Sequence, residues 1–422
     1  MGLMEELEGI YSRKCSICGG YHDTDPLPSL SASNEQWDSL LDRIAKELFD
    51  EKISKGFIDQ EIYERTAASL IKAAHEGLGG VQFAYDDERN ILKAYLEQNI
   101  YKFSAAKDLA ELETFRGMML NEKGEIVDFV TFRNRVAETG NTFNETYLKT
   151  EYDTAYQSAL MALKWDNLSQ SSEYLEYSTA GDDRVRPTHA ALDGLTLPVE
   201  SPVWNTIWPP IDWNCRCTIV PGVADKVTMT DKEAGKLGDF IAPYFRNNSG
   251  KTKTTFKDDH PYFVNANFKE KQLDAVKNYG LRTPEQIFAD VSKLPPIKTM
   301  ESPDEFANWW KESLGEAAVK VDVVNNSVFF DQGVKDHLLQ KNSEKRFTYG
   351  ANIIDTLQKP NEIWSNRDKN NRLVNFYIKY YQDGAYVLIV TDKENSLQTD
   401  TFYKLTDKRL VELRKGILRY RK

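Results

Sequence analysis

The sequence predicts two domains of different fold class: a mainly α-helical N-terminal domain and an α+β C-terminal domain with an antiparallel sheet. Three observations support this prediction. Amphipathic helical patterns dominate residues 34–165, runs rich in β-branched and aromatic residues lie within residues 372–405, and hydrophobic residues make up 41% of the chain. A chain of 422 residues has the length for two or three domains with packed cores.

The N-terminal part is predicted to be helical after a short cysteine-containing segment. Residues 1–30 contain Cys15-x-x-Cys18, then His22 and a loop-like stretch. The helical domain is predicted over residues 31–225, because amphipathic patterns recur along most of it before turn residues and aromatics interrupt them. Its first helix has an apolar stripe formed by Trp37, Leu40, Leu41, Ile44, Leu48 and Phe49.

Residues 226–295 are predicted as a linker with short helices, because Lys, Asp, Gly and Thr are frequent there. His260 in this stretch is predicted to face solvent. The C-terminal domain is predicted over residues 296–422. It begins with a helix and a hairpin that turns at Asn325-Asn326, and two helical segments, three strands and a basic helix follow.

The charge is unevenly distributed along the chain. The net charge is −11, yet residues 301–422 carry 20 Lys and Arg against 18 Asp and Glu, and the final stretch is strongly basic. This pattern fits either a nucleic-acid partner of the C-terminal domain or a solvated helix face. No apolar run approaches the ~20 residues that span a bilayer, and the N-terminus lacks an apolar signal core. We therefore expect a protein made in a cytoplasm, with no membrane partner.

Half of the four cysteines lie one residue apart, in Cys215-x-Cys217 after a Trp-Pro-Pro run. A disulfide between them would close a small, strained ring, and a reducing cytoplasm disfavours it. Three interpretations stay open. The pair could join Cys15 and Cys18 in one structural Zn²⁺ site, with His189 or His22 as alternative ligands. The two cysteine pairs could also lie in ordinary packing loops, or carry redox chemistry.

The stretch around these cysteines resembles a known phage family. The ordered elements "DDRVRPTHAALDG", Pro-Pro and "NCRC" are similar to the signature of the Mu F-like minor head (head morphogenesis) proteins of tailed bacteriophages. The resemblance implies a virion protein of the capsid interior, associated with portal and capsid proteins and present in the host cytoplasm during assembly. It also implies that His189, Asp193 and residues 214–217 hold the fold together, without a catalytic role.

The C-terminal domain resembles another family. The order of His337, Arg346, "LQKPNEIW" and "DTFYKL" is similar to the phage-borne barnase–EndoU–colicin–RelE-like ribonucleases. Metal-independent RNA cleavage needs an acid, a base and donors around the phosphorane, and no cofactor. His337 is a candidate acid or base and Arg346 a candidate phosphate clamp. The predicted set of catalytic residues is His337, Arg346, Lys379, Thr401 and Tyr403.

Strand alternation places Thr401 and Tyr403 on one face of the sheet, and Lys379 is expected to share that face. Tyr349 and Tyr380 are candidate platforms for base stacking. No Walker-type glycine loop, Gly-x-Ser-x-Gly elbow or His-Glu-x-x-His occurs, so those enzyme classes have no support.

Three functional hypotheses follow. The first is a phage minor head protein with a C-terminal ribonuclease effector, ejected with the genome to act on host RNA such as transfer or ribosomal RNA. The second is a purely structural, portal-associated protein whose basic C-terminal module binds packaged DNA or a head partner without catalysis. The third makes the module the toxin of a polymorphic system that uses the head domain for delivery.

Overall fold

The computed structural model of this protein describes residues 2–11, 34–340 and 345–422. Cys15, Cys18 and His22 lie outside the described residues, so their predicted role in a metal site stays a prediction. The chain forms two compact units, each built from two separate segments. Unit 1 comprises Met1–Gly79 and Phe103–Phe268, and unit 2 comprises Gly80–Lys102 and Lys269–Lys422.

Unit 1 is mainly helical, as the sequence predicts. Helix α3 (Gln60–Leu78) shows why these segments form helices: Asp59 caps its N-terminus by accepting hydrogen bonds from two backbone N–H groups, and Gly79 ends it with a left-handed φ of 77°. Helix α3 packs against α6 (Leu148–Ser171) at Gly77, where an added Cβ would lie 2.4 Å from the carbonyl oxygen of Tyr156. The long helices here are α1 (Leu3–Tyr11), α2 (Asn34–Phe49), α3 (Gln60–Leu78), α4 (Glu88–Gly117), α5 (Phe129–Asn141) and α6 (Leu148–Ser171).

Helix α4 supplies residues to both units, because the division between them falls after Lys102. A single π-helical turn at Thr142–Tyr147 joins α5 to α6. Among the residues that the structure describes, none of the helices combines the length and the apolar composition that crossing a bilayer requires.

The second half of unit 1 contains a small antiparallel sheet with short helices around it. The strands are β1 (Tyr174–Ser178), β2 (Thr196–Pro198) and β3 (Thr218–Pro221), in the order β2-β1-β3. The segment between β2 and β3 contains the tryptophans Trp204, Trp208 and Trp213, all of them buried. The short helices of this half are α7 (Pro187–Ala190), α8 (Asp231–Leu237), α9 (Ser249–Thr252) and α10 (Pro261–Asn265).

The stretch in which the sequence predicts a linker contains these last three helices, and its residues up to Phe268 belong to unit 1. The prediction that His260 faces solvent is wrong, because its side chain is only 2% exposed. His260 caps α10 by accepting a hydrogen bond from the backbone N–H of Tyr262, and the rings of Phe103 and Trp213 lie against it. Burial lowers the pKa of His260 to about 3.

Unit 2 has the predicted α+β fold, built on a seven-stranded sheet. The strands are β4 (Ala318–Val321), β5 (Ser327–Phe330), β6 (Glu362–Arg367), β7 (Leu373–Tyr381), β8 (Gly384–Lys393), β9 (Ser396–Lys404) and β10 (Ile417–Arg421). Their order in the sheet is β10-β6-β7-β8-β9-β5-β4, and the described neighbours pair antiparallel except for β5 and β9, which are parallel. The helices are α11 (Pro284–Ile287), α12 (Pro303–Ser313), α13 (Gln332–Gln340), α14 (Ile353–Gln358) and α15 (Asp407–Leu413).

The core of unit 2 lies between the sheet and helices α12 to α14. It also includes the first half of α4, which contributes Ile91, Ala94 and Tyr95. The Tyr95 hydroxyl donates a hydrogen bond of 2.5 Å to Asp392 on β8. Residues 80–102 are therefore part of the hydrophobic core of this unit, although they lie far from the rest of it in the sequence.

The basic stretch at residues 403–422 differs from its prediction as one basic helix. Only Asp407–Leu413 is α-helical, and the chain then forms the edge strand β10. Two of the basic side chains are buried in ion pairs: Arg414 with Glu362 at 2.8 Å, and Arg419 with Glu97. These arginines neutralise buried carboxylates inside unit 2, so they do not belong to a solvated basic face.

Candidate functional site

Three elements of unit 2 bring polar side chains together at one point. His337 lies on α13, Arg346 begins the 3₁₀ segment Arg346–Asn352, and Thr401 lies on β9. The Arg346 Nη1 atom lies 3.3 Å from His337 Nε2 and donates a 2.7 Å hydrogen bond to Thr401 Oγ1. His337 and Arg346 are half-buried, and Thr401 is 9% exposed. We refer to these three residues together with Tyr403 as the Arg346 cluster.

Tyr403 joins the cluster through its ring. The guanidinium carbon of Arg346 lies 4.8 Å from the ring centroid of Tyr403, within the range of a cation–π interaction. Arg409 on α15 adds another cation, since it forms a side-chain hydrogen bond with Tyr403. Its Nη1 atom also donates to Glu412 at 2.9 Å, and these two bonds raise the pKa of Arg409 above its ordinary value.

The prediction that Lys379 shares a face with Thr401 and Tyr403 is wrong. Lys379 pairs with Tyr386 across β7 and β8, whereas Thr401 pairs with Ile389 across β8 and β9. Tyr386 and Ile389 are three residues apart on one strand, so their side chains leave opposite faces of the sheet. Tyr403 shares the face of Thr401, as strand alternation predicts.

Lys379 has a different set of contacts. Its ammonium nitrogen lies 2.5 Å from the carboxylate of Asp355 and 3.3 Å from the backbone carbonyl of the same residue on α14. Burial lowers the pKa of Lys379, while the hydrogen bond that Lys379 donates to Asp355 opposes that shift. The contacts of Lys379 therefore attach α14 to the sheet.

The two tyrosines predicted as stacking platforms have different surroundings. Tyr380 is 3% exposed, donates a 2.6 Å hydrogen bond to Glu362 and packs edge-to-face against Phe288, so its ring is not accessible for stacking. Tyr349 is half-buried and lies edge-on to Tyr386 at 5.0 Å between ring centroids. The stacking prediction is wrong for Tyr380.

The Arg346 cluster provides the groups that acid–base cleavage of a phosphodiester requires. A guanidinium has only donors, so its hydrogen bond with His337 requires Nε2 to be the acceptor and places the imidazole proton on Nδ1. Arg346 is a fixed cation, and the Thr401 hydroxyl can donate to an oxyanion. The cluster therefore contains a neutral imidazole beside a positive charge, as proton abstraction next to a phosphate needs.

Unit 1 contains a second cluster of chemically active side chains. His189, Cys215 and Cys217 are buried, and their potential ligand atoms all lie within 4.8 Å of one another. His189 Nδ1 is 3.9 Å from Cys215 Sγ and 3.5 Å from Cys217 Sγ. Zn²⁺ bonds of about 2.3 Å to sulfur and 2.0 Å to nitrogen imply tetrahedral S–N edges of roughly 3.5 Å. These three residues have the spacing of metal ligands, and we call them the His189 cluster.

The two thiols of the His189 cluster have different proton affinities. A hydrogen bond from Cys217 lowers the pKa of Cys215 well below its ordinary value, and His189 lowers it further. The same interaction raises the pKa of Cys217. A thiolate at Cys215 is the form that ligates metal, and both cysteines are free thiols in the structure.

The loop that carries the cysteines is held by polar contacts. Asn214 takes a left-handed φ of 54° directly before Cys215. Arg186 donates a 2.8 Å hydrogen bond to the carbonyl of Trp213, and Arg216 forms two hydrogen bonds with Asp182 at 2.6 and 2.7 Å. The basic and acidic residues of the "DDRVR" stretch thus fasten this loop.

Asp193 has a comparable structural contact, since one of its carboxylate oxygens accepts hydrogen bonds from the backbone and the side chain of Thr179. These contacts agree with the holding role that the resemblance implies for His189, Asp193 and residues 214–217. The sequence argument gave no individual role to Tyr177 and Arg409, which lie beside the two clusters. Strand pairing brings Tyr177 there, and the chain after β9 brings Arg409 there.

Two family models match separate segments of the chain. Residues 129–220 match the model described as Phage Mu protein F like protein, and residues 305–421 match phage-Barnase-EndoU-ColicinE5/D-RelE like nuclease2. The chain combines a Mu F-like segment with a nuclease-family domain. Both resemblances predicted from the sequence are confirmed. The His189 cluster falls inside the Mu F-like segment, and the Arg346 cluster falls inside the nuclease-family domain.

Curated relatives match the chain over a short length. The Mu-like prophage FluMu F protein of Haemophilus influenzae is 38% identical over 74 residues, which is 18% of each chain. The putative capsid assembly protein F of Escherichia phage Mu is 31% identical over 75 residues, or 17% of each chain. The alignments thus span less than a fifth of these relatives. No solved structure matches the chain.

Proposed function

We propose that the nuclease-family domain cleaves RNA by metal-independent transesterification at the Arg346 cluster. The observation that carries this proposal is that His337 and Thr401 both contact one guanidinium nitrogen of Arg346. All three residues lie inside the segment that matches a nuclease family. DNA lacks the 2′-hydroxyl on which this reaction depends, so RNA is the substrate class.

The proposed reaction assigns one step to each group. When Arg346 turns from His337 to the phosphate, His337 Nε2 is free to take the proton of the ribose 2′-hydroxyl, and the resulting 2′-oxygen bonds to the phosphorus. Arg346 and Thr401 donate hydrogen bonds to the non-bridging oxygens as their negative charge grows. The bond from phosphorus to the 5′-oxygen then breaks, and the hydroxyl of Tyr403 supplies the proton that the leaving oxygen takes up. The products are a 2′,3′-cyclic phosphate and a 5′-hydroxyl.

The test is RNA cleavage by the full chain in EDTA, with analysis of the new ends. We expect cyclic-phosphate ends from the wild type and loss of cleavage in His337→Ala. Asp336→Ala is the matched control, because Asp336 is the exposed neighbour of His337 on the same helix. A wild-type protein that leaves transfer, ribosomal and messenger RNA intact, but binds DNA in a salt-sensitive way, would favour the structural alternative.

We also propose that the Mu F-like segment acts in phage head assembly, with capsid and portal proteins as partners. The relative from phage Mu is named a putative capsid assembly protein, which supports this role. In this proposal the head carries the nuclease-family domain, which acts on host RNA after ejection. Mass spectrometry of purified heads tests the first part, since the protein should be present in a few copies. Its absence from mature and immature heads would contradict the proposal.

A DNA-binding role for the basic C-terminal stretch has less support. Arg414 and Arg419 are buried with carboxylate partners, so they are not available to phosphate groups. The exposed cations that remain in residues 403–422 are Lys404, Lys408, Arg409, Lys415, Arg421 and Lys422, of which Lys404 and Arg409 pair with Asp383 and Glu412. These pairs leave fewer cations for phosphate groups than the sequence alone offers, so a smaller dependence of DNA binding on salt is expected.

Finally, we propose that the His189 cluster holds a structural Zn²⁺ ion through His189 Nδ1 and the two thiolates. The spacing of its ligand atoms and the chemistry of the Cys₂His set support this. The test is the zinc content of the purified full chain by native mass spectrometry. We expect one equivalent of zinc in the wild type and none in a Cys215→Ser/Cys217→Ser variant. A wild-type protein that still contains no zinc after incubation with excess Zn²⁺ would contradict the proposal.

A further inference from the structure

We propose that the hydroxyl of Tyr177 is the fourth ligand of the metal bound at the His189 cluster. The inference rests on the zinc proposal above and extends it to a complete coordination shell. Three side chains of the His189 cluster are in place, and a structural zinc site has four protein ligands in nearly all cases. The fourth position therefore needs a donor from a neighbouring element.

The strand pairing places Tyr177 beside the cluster. Tyr177 on β1 pairs directly with Ile219 on β3, and Cys217 lies two residues before Ile219. Side chains two residues apart along an extended chain share a face, so Tyr177 and Cys217 are diagonal neighbours on the same side of this sheet. The backbone of Tyr177 is also fixed, because its N–H donates to Leu195 O and its carbonyl accepts from Gly194 N.

The hydroxyl of Tyr177 is in an unusual state for a buried polar group. The residue is fully buried, and among the described residues its hydroxyl oxygen makes no hydrogen bond of ordinary length and angle. The same hydroxyl interacts with the sulfurs of Cys215 and Cys217, which are weak hydrogen-bonding groups. Buried hydroxyl groups almost always have a well-formed partner. A metal ion between Tyr177 and the two sulfurs would replace these weak contacts by a coordinate bond.

Coordination by Tyr177 defines the chemistry of the site. The phenol proton passes to solvent when the metal binds, and the phenolate oxygen takes the position that water occupies in an open zinc site. All four ligands then come from the protein: Tyr177 from β1, His189 from α7, and Cys215 and Cys217 from the loop before β3. Such a closed site fastens three elements of unit 1 and leaves no position for a substrate.

The experiment measures metal binding by the full chain, with Zn²⁺ and Co²⁺ as probes. Zinc affinity is determined by competition with a chelator, and the Co²⁺ form reports the ligand set through its visible absorption. The variants are Tyr177→Phe, the matched control Tyr174→Phe and the double variant Cys15→Ser/Cys18→Ser. Tyr174 is a half-buried residue of the same strand whose side chain leaves the opposite face.

We expect Tyr177→Phe to weaken zinc binding at least ~10-fold and to alter the Co²⁺ spectrum, while Tyr174→Phe and the double cysteine variant leave both unchanged. Unchanged affinity and spectrum in Tyr177→Phe would overturn the inference. Loss of binding in the double cysteine variant would also overturn it, because Cys15 or Cys18 would then be the fourth ligand. A wild type that binds no zinc would instead refute the zinc proposal itself.

Discussion

Arg346 is the residue on which the side-chain contacts of the Arg346 cluster converge. Its guanidinium contacts His337 and Thr401 through one nitrogen, and its central carbon lies 4.8 Å from the ring centroid of Tyr403. A planar, multidentate cation makes these contacts together, whereas an ammonium group is a single point charge. The geometry of the group at position 346 should therefore matter as much as its charge.

Arg346→Lys keeps the charge but loses the shared contacts with His337, Thr401 and Tyr403. We expect RNA cleavage to fall about 100-fold, in the range for loss of one preorganised donor. Single-turnover cleavage rates measure this effect. Arg372→Lys is the control, because Arg372 forms an exposed pair with Asp368 at 2.8 Å. Equal cleavage rates for Arg346→Lys and the wild type would show that Arg346 does not contribute to catalysis.

Lys379→Met should affect stability and leave the intrinsic cleavage rate unchanged. Lys379 pairs with Asp355 on the opposite face of the sheet from Thr401. Losing this partly exposed pair should cost about 1 kcal/mol of folding free energy. Thermal unfolding and the cleavage rate per folded molecule separate the two effects. A large fall in rate with an unchanged melting temperature would restore Lys379 to the catalytic set.

These residues show what the sequence could and could not predict at this scale. Alternation within one strand correctly predicts that Thr401 and Tyr403 share a face. The face of Lys379 depends on pairings across three strands, and the β8–β9 register also shifts between Ile389 and Val390. Neither the register nor its irregularity is visible in the local sequence.

Among the elements, helix α4 contains an unusual number of buried charged side chains. In its second half Asp108 and Glu111 are fully buried, and each has one carboxylate oxygen without a partner among the described residues. Asn144 from the π-helical turn donates a 2.6 Å hydrogen bond to Glu111. Burial raises the pKa of Glu111 to about 8, so this side chain is protonated at neutral pH.

Glu111 should make unit 1 less stable as the pH rises. A carboxyl group whose pKa is raised on folding binds its proton more tightly in the folded state, so its contribution to stability falls between about pH 4.5 and 8. Glu111→Gln should remove this dependence and raise the melting temperature more at pH 8 than at pH 5. The corresponding gain in folding free energy should be about 1–3 kcal/mol larger at pH 8 than at pH 5. Thermal unfolding across this pH range is the measurement.

Glu113→Gln on the same helix is the matched control, since Glu113 is partly exposed and pairs with Arg116. It should leave the pH dependence of the melting temperature unchanged. A Glu111→Gln protein with the wild-type pH dependence would show that Glu111 is ionised in the folded state. The helical pattern of α4 was readable from the sequence, but a moderately polar helix does not reveal which carboxylates are buried.

At the scale of the whole molecule, the main difference from the sequence prediction is that both units are discontinuous. Composition and periodicity place a boundary near residue 296, because the pattern changes from helical to β-rich there. They cannot assign residues 80–102 to the second unit, since the contacts of that segment are long-range. Glu97 and Arg419, which form a buried ion pair, are 322 residues apart in the chain.

An isolated fragment of residues 290–422 should therefore fold poorly. It would lose Lys93, which donates to Asn326, and Glu97, the partner of the fully buried Arg419. Removal of one member of a buried ion pair costs about 3–5 kcal/mol. Near-ultraviolet circular dichroism and thermal unfolding should show loss of tertiary structure in this fragment. A fragment in which a flexible linker joins residues 80–102 to residues 269–422 should regain its tertiary structure. Equal stability of the two fragments would contradict the assignment of residues 80–102 to unit 2.

The shared use of helix α4 has a consequence for the synthesis of the protein. A ribosome makes residues 80–102 early, but Arg419, the partner of Glu97, is translated 322 residues after Glu97. The core of unit 2 therefore cannot be completed before strand β10 has been made. The order of residues along the polypeptide thus delays assembly of unit 2 until its edge strand β10 has been translated.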